Sequence, residues 1–484
     1  MSESASVLAL DLGSSSGRAV LATLDDGVMG LRELGRFAHR AQTADVGGRE
    51  QLCWQLDVLE AGCRDALAEA LRVTDACLAG LGVDGWGVDH VLVDAHGQAV
   101  LPARSYRDRR MSGVVDRFFD SVVPRSRFWQ ATGTQPADIL TAVQLYADLT
   151  ADPGLADRVD HVEMLPAHLL RRLGAPAGTG RSMASTTGLA GAGTTGWSES
   201  VCRDAGIPLG WLGEPEPDLR EVGVVPGTGV RVVGSGFHDT ACAVHALPVT
   251  AGVPAFISCG SWSLVGLSTP EPVLATEALD GGLTNETRLD GGNRLLANLT
   301  GMWLLQECER QWAPNCPPTA DLVREAVAAP SLGCVVDPCA ETFMRPGGMV
   351  TKLAEECRRL HGVAPADRGQ TVRLVLESLA MAHARTITLL ERVSGLQVGD
   401  VHMVGGGSRS DVLARWTADA CGHRVVTGPV EASAVGNALA QFEVLGIVDP
   451  DDRAAIVRRS FPITEFEPQP DPRWREMADG LDAA

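Results

Sequence analysis

The string GFHDTACAV, residues 236–244, sets Asp239 between His238 and Thr240 where a loop runs into an apolar, helix-spaced segment. A carboxylate so placed can take the proton of a substrate hydroxyl. An aspartate ahead of a helix also caps orphan N–H groups, and the two roles are compatible. The chemical reading gains weight from a segment far upstream. VLALDLGSSSGRAVLA, residues 7–22, reads as an apolar strand, a tight loop of Gly and Ser, and a second apolar strand. Such a loop offers backbone N–H groups and hydroxyls at the close range a phosphate requires. A lone carboxylate with a phosphate-holding hairpin points to phosphoryl transfer.

The elements that must position these residues follow from the pattern. Residues 7–12 and 18–24 are apolar enough to pair as strands across a turn at residues 13–17, and residues 58–72 carry apolar side chains at helical spacing. Residues 78–97 hold two short strand-like runs around Gly85, Trp86 and Gly87. Residues 174–196, rich in Gly, Ala, Ser and Thr, read as a substrate-side loop. Near residue 252 the opening plan returns: PAFISCGSWSLVGLS, residues 254–268, is again strand, Gly-Ser turn and strand, a weak internal duplication. A long helix is predicted over 371–393, a buried strand with a glycine turn over 401–410, and a loop with an apolar helix over 428–447. These features predict two domains, 1–248 and 249–449, with a peripheral tail at 450–484 and a ligand groove where the domains meet.

Composition narrows the classes. A chain of 484 residues, 45% hydrophobic, is long enough for two to three domains with sizeable cores. Its 41 Lys and Arg against 61 Asp and Glu give a net charge of -20, the opposite of a nucleic-acid binder. A phosphate site must therefore be built locally from backbone amides, a few basic side chains or a metal. The chain has no apolar run long enough to predict a membrane span, and its first residues lack the basic region of a secretory leader, so a cytoplasmic location is expected. Twelve cysteines are scattered without a C-x-x-C pair, which predicts neither a zinc site nor a redox dithiol.

Nine strings stand in order: DLGSSSGR (11–18), GWGVDHVLVD (85–94), YRDRR (106–110), ASTTGL (184–189), HDTACAV (238–244), SCGSWSLVG (258–266), NLTGMWLLQE (298–307), VGGGSRS (404–410) and GPVEASAVGN (428–437). They resemble the motifs of the FGGY carbohydrate kinases over nearly the whole chain. The resemblance implies an α/β fold of two ribonuclease-H-like domains, of the actin and hexokinase type, hinged around an ATP cleft. It implies an enzyme that uses ATP and Mg2+ to phosphorylate a small-molecule ketose. The Trp-Gly-Val-Asp, His-Asp-Thr-Ala and Gly-Pro-Val-Glu-Ala strings favour L-rhamnulose, giving L-rhamnulose 1-phosphate, over xylulose or glycerol.

Carried over residue by residue, the resemblance implies Asp239 as the base and Gly87, His238, Asp239, Thr240 and Asn298 as sugar contacts. It implies Ser14, Ser15, Ser16, Gly17 and Arg18 around the ATP phosphates, with Ser261, Gln306 and Gly406 on the nucleotide. Asp11 would be the magnesium-side carboxylate, acting through waters. Plainer roles stand beside these: a structural His238, a Gly87 needed only for packing, an ordinary serine turn. Asp89, beside Trp86, reads equally as a carboxylate facing sugar hydroxyls or as part of a solvated loop. Some positions depart from the family's pattern. Residues 140–145 read Leu-Thr-Ala-Val-Gln-Leu for Asn-Thr-Leu-Tyr-Gln-Leu, Ala297 replaces a lysine, and Thr287 and Arg288 replace two glycines. Changes of this kind leave another ketose, such as L-fuculose, as an alternative substrate. A non-catalytic nucleotide- or sugar-binding regulator is the alternative from another class; the presence of Asp239 argues against it.

Overall fold

The structure, a computed structural model, describes residues 4–13, 16–176 and 178–482. The chain forms two compact units. The first comprises the described residues up to Ala246 together with Thr269–Leu295 and Ala432–Ser460; the second comprises Leu247–Ser268, Leu296–Glu431 and the described residues from Phe461 onward. The first crossing, at Ala246/Leu247, lies beside the boundary expected at 248/249, but the chain re-enters the first unit twice more. Re-entry leaves no break in composition, so a linear reading has no signal for it. The tail expected to be peripheral is divided as well: residues 450–460 belong to the first unit, and Glu465–Phe466 adds a strand to the second unit's sheet.

In the first unit the strand Ala5–Leu12 pairs antiparallel with Ser16–Asp25, which pairs antiparallel with Val28–Ala38. On its other edge Ala5–Leu12 runs parallel to Leu78–Gly85, which is flanked in parallel by Arg231–Val233 and Phe237–His238. Strands covered on both faces read as continuous apolar runs, and Val7, Leu8, Ala9, Leu10 and Leu12 are all fully buried. One cover is the helix Leu56–Val73, whose buried Leu59, Cys63, Ala66, Leu67 and Ala70 recur at the spacing of a single helical face. The helix Ala432–Val444 packs on Asp239–His245 so closely that a Cβ at Gly436 would overlap the Cys242 carbonyl. Residues 174–196, expected to be a loop, instead hold a short strand, Thr179–Gly180, and a helical turn, Arg181–Ala184, with Ser182 and Met183 buried. Small residues there serve close packing, which composition alone does not distinguish from a turn-rich loop.

The second unit repeats the plan. Val253–Cys259 pairs antiparallel with Trp262–Thr269 and parallel with Val398–Val404, which runs parallel to Val425–Thr427. The helix Arg368–Ser394 runs 27 residues, opened by Asp367, whose carboxylate accepts the Gln370 N–H at 2.8 Å, and closed by Gly395 at φ +69°. The duplication read from the two hairpins is thus a duplication of topology. Among the described residues no helix is long and apolar enough to cross a membrane.

Candidate active site

Parallel strands end together, and the loops beyond their carboxyl ends are where open α/β sheets hold ligands. In the first unit Asp11 is in register with Asp84, and Asp84 with Phe237, so Asp239 follows two residues beyond the same row. Three carboxylates therefore gather at one sheet end. Asp11, 2% exposed, receives the Arg18 guanidinium at 2.5 Å and the Ser433 hydroxyl at 2.9 Å, both on Oδ2. Asp84 is fully buried and accepts the Asn437 amide at 2.6 Å. Burial, then the nearby charges of Asp11 and Asp239, push the Asp84 carboxyl well above its usual range.

The Asp239 carboxylate is arranged asymmetrically. Oδ1 accepts the Thr240 backbone N–H at 2.5 Å and the Thr240 hydroxyl at 3.1 Å. His238 Nε2 lies 3.2 Å from the same oxygen. Oδ2 has no hydrogen-bond partner among the described residues, and the side chain is 31% exposed. Asp239 is not the N-cap expected for it: His238 holds that position without a side-chain cap bond, and Asp239, the first helical residue, engages only the next N–H, that of Thr240.

Behind His238 stands a buried ion pair that the sequence reading did not single out. Arg294 bonds Glu286 through Nη2 at 2.5 Å and Nε at 3.2 Å, and its Nη2 lies 2.6 Å from His238 Nδ1. Burial pushes the Glu286 carboxyl up, but the Arg294 charge beside it more than offsets this, leaving it at about 2. Nothing local in NRLLANLT marks Arg294 as buried; the apolar run that follows it, residues 295–297, is the one hint. Asp218, also fully buried, accepts the Ser182 N–H at 2.9 Å and the Ser182 hydroxyl at 2.6 Å, and burial raises it to about 7.

Gly87 sits in a strained turn. A Cβ there would stand 2.5 Å from the Thr186 hydroxyl oxygen. The next residue, Val88, has φ +65°, a conformation that a β-branched side chain adopts only when its surroundings impose it. Thr141 Oγ1 and Gln144 Nε2 donate to the Val88 carbonyl at 2.8 and 3.3 Å, and Thr186 Oγ1 accepts the Val88 N–H at 3.2 Å. Asp89 matches neither reading made of it. It is 1% exposed and accepts the indole N–H groups of Trp54 at 2.6 Å and Trp86 at 2.9 Å, with the Tyr106 N–H at 2.8 Å. Burial raises its carboxyl to about 6. It anchors the turn from beneath.

Of the serine hairpin, Ser14 and Ser15 lie outside the described residues. Ser16 opens the second strand, its carbonyl accepting the Gly13 N–H at 3.1 Å, and a Cβ at Gly17 would overlap the Phe37 ring. In the second unit Ser261 Oγ donates to Gln306 Oε1 at 2.9 Å, so two of the expected nucleotide residues meet. The triple glycine divides its work. A Cβ at Gly405 or Gly407 would run into Cys259, whereas one at Gly406 would meet open space. Ser258 and Val404 are in register, so the Ser261 and Gly406 loops leave neighbouring strands at the same end. Asn298 is exposed on the strand Asn293–Thr300, in the part of it that belongs to the second unit.

Among the described residues no three His, Cys, Asp or Glu side chains gather as a metal cage. Magnesium in phosphoryl transfer needs none, because one or two carboxylates suffice beside phosphate oxygens and water. In the first unit Asp11 fits that role: among the described residues both of its hydrogen bonds fall on Oδ2.

The chain belongs to the FGGY family of carbohydrate kinases. The model of the family's N-terminal domain matches residues 6–225 and that of its C-terminal domain residues 255–443. It is therefore a phosphotransferase acting on a sugar hydroxyl, built on the two-domain fold of the actin and hexokinase type. It is 33% identical over 470 residues to the rhamnulokinase of Klebsiella pneumoniae subsp. pneumoniae, covering 96% of this chain and 95% of that protein. It is 32% identical over 468 residues to the rhamnulokinase of Yersinia pestis, with 96% and 95% covered. Among solved structures it is similar to xylulose kinase from Rhodospirillum rubrum (TM-score 0.78, 20% identity, 99% of this chain and 98% of that one). Plasmodium falciparum glycerol kinase with ADP gives TM-score 0.78 at 14% identity over 99% and 97% of the two chains.

Proposed function

We propose that this kinase transfers the γ-phosphoryl group of ATP to the primary hydroxyl of L-rhamnulose, giving L-rhamnulose 1-phosphate and ADP, with Asp239 as general base. The observation that carries the reading is the asymmetry of Asp239. One oxygen is pinned by Thr240 at 2.5 and 3.1 Å, and the other, at the end of parallel strands, has no hydrogen-bond partner among the described residues. The free oxygen takes the hydroxyl proton as the sugar oxygen bonds to phosphorus and the bond to the ADP oxygen breaks; such assistance is worth about two to four orders of magnitude. Magnesium carried with the nucleotide would neutralise phosphate charge, and Asp11 would hold it through water. Gly17 and Arg18 would receive the phosphates, and Ser261, Gln306 and Gly406 the nucleotide. Gly87, His238, Thr240 and Asn298 would contact the sugar.

The rhamnulokinase relatives support the choice of sugar, and the departures are of a kind that packing absorbs. Leu140 and Val143 are buried at 4% and 0%, so they shape the turn at Val88 from within its core. The two polar residues of that string, Thr141 and Gln144, keep their bonds to the Val88 carbonyl. Thr287 lines a cavity of about 210 Å³ with Arg181, Ser185 and Glu286.

The test is ADP release with ATP and magnesium across L-rhamnulose, L-fuculose, L-ribulose, D-xylulose and glycerol. A clear preference for L-rhamnulose is expected. Preference for another ketose would replace the proposed substrate, and no turnover with any of them would overturn the catalytic reading.

A further inference from the structure

We propose that Arg294, held by Glu286, is a positioning residue for the transfer. It fixes His238 in the tautomer that carries its proton on Nε2, and so makes His238 a donor toward the anchored oxygen of Asp239. The inference rests on Asp239 being the base.

Arg294 is 0% exposed. A guanidinium offers donors only and stays charged, so it cannot accept a proton from a neighbour. Its Nη2 stands 2.6 Å from His238 Nδ1. Two N–H groups cannot face each other at that separation, so Nδ1 presents its lone pair. Glu286 Oε2 also lies near Nδ1, at 3.4 Å, and would draw a proton there if Arg294 were absent. That oxygen is already engaged by Arg294 at 2.5 and 3.2 Å, and the shorter contact decides. A neutral imidazole with Nδ1 bare holds its proton on Nε2, which lies 3.2 Å from Asp239 Oδ1.

Two hydrogen bonds from Thr240, by its backbone and its hydroxyl, hold Oδ1, and the His238 Nε2 proton stands near the same oxygen at an N···O distance of 3.2 Å, close enough to favour its charge. Among the described residues no donor reaches the other oxygen. The carboxylate cannot turn out of this plane without losing the Thr240 bonds, so one oxygen stays presented to the hydroxyl whose proton it receives. In the other tautomer the ring would set a lone pair against the Asp239 carboxylate, a repulsive contact at the reacting group. A partner that fixes ring tautomer and orientation has the same logic in other histidine-dependent sites.

Long-range proton–nitrogen correlation on the full-length chain with labelled histidine reads the tautomer directly, with His238 assigned by the signals lost in His238→Gln. At pH 7 the wild-type ring is expected to show a bare, pyridine-like Nδ1 and a protonated Nε2. A proton on Nδ1 in the wild type overturns the proposal. In Arg294→Met the proton is expected on Nδ1, and kcat is expected to fall about 10- to 100-fold, with KM for ATP within about twofold. His238→Gln, whose amide can accept from Arg294 and donate to Asp239, is expected within about tenfold of wild-type kcat. His238→Leu, which can do neither, is expected to lose about 100-fold or more. Equal kcat in the Gln and Leu variants, or wild-type kcat in Arg294→Met, overturns the proposal. If Arg294→Met does not fold, the wild-type tautomer and the Gln–Leu contrast decide. Full turnover in Asp239→Asn would instead remove the base on which this positioning rests, and the tautomer measurement stands apart from that result.

Discussion

Asn437 Nδ2 donates to Asp84 Oδ2 at 2.6 Å across 353 residues of sequence, joining the helix Ala432–Val444 to the central strand Leu78–Gly85 inside the first unit. Asn437 Oδ1 in turn accepts from Gln441 Nε2 at 2.8 Å, and that amide also reaches the Leu8 carbonyl at 3.0 Å. One polar thread thus holds the end of the sheet where the carboxylates gather.

Burial and the neighbouring carboxylates push the Asp84 carboxyl well above its usual range, which favours its protonated form. Asp84→Asn keeps that shape and neutrality and is expected to stay within about 1 kcal/mol of wild-type stability in denaturant unfolding. Asn437→Ala leaves the buried acid without its donor and is expected to cost about 1–3 kcal/mol. The reverse order of the two variants would show that Asp84 is ionised in the native state.

Asp239→Asn removes the proposed proton acceptor while keeping size and the contact to the Thr240 N–H. Turnover is expected to fall at least about 100-fold, with ATP affinity unchanged in calorimetry. Activity near wild type would exclude Asp239 as the base.

The glycine turn of the second unit separates binding from folding. At Gly406 a new side chain enters open space. Gly406→Val is expected to leave the melting temperature near wild type and to raise KM for ATP about tenfold or more. At Gly407 the added Cβ strikes the Cys259 side chain, so Gly407→Ala is expected to lower stability by about 1–3 kcal/mol, as overpacking does. A destabilised Gly406→Val with normal KM would remove Gly406 from the nucleotide site.

Asp218 gives the protein a pH-dependent stability term. Its carboxyl is raised by burial to about 7, against 3.8 for a free side chain. The native state therefore binds more protons than the unfolded state between these values, and this group's contribution falls as pH rises from about 4 to about 7. Asp89, raised to about 6, adds in the same direction. Glu286 and Glu163, both lowered to about 2, act oppositely, and their contribution is lost as pH falls from about 4.5 toward 2. Thermal unfolding from pH 4.5 to 7.5 is expected to show a shallower decline for Asp218→Asn than for wild type. An unchanged slope would mean that Asp218 is ionised throughout.

Much of this protein is legible in its residues. The hairpin strands, the long helix and the doubled plan follow from apolar runs punctuated by Gly and Ser, because local backbone preference and burial act over a few residues. Asp239 and Gly406 are reached differently, Asp239 from its place at a loop entering a helix and Gly406 only through the family resemblance, since a glycine turn has no chemistry of its own to read. Asp89 could not be placed from sequence, since a carboxylate between Trp86 and His90 looks the same whether it meets water or two indole donors. Nor could the partnership of Arg294 with His238, 56 residues apart, or of Asn437 with Asp84. Local sequence was enough to say which strands and turns form and to place an acidic residue at the start of the helix Asp239–His245. Only the tertiary structure decided which buried charges meet, because the pairing of charges taken out of water depends on distances of a few ångströms between segments remote along the chain.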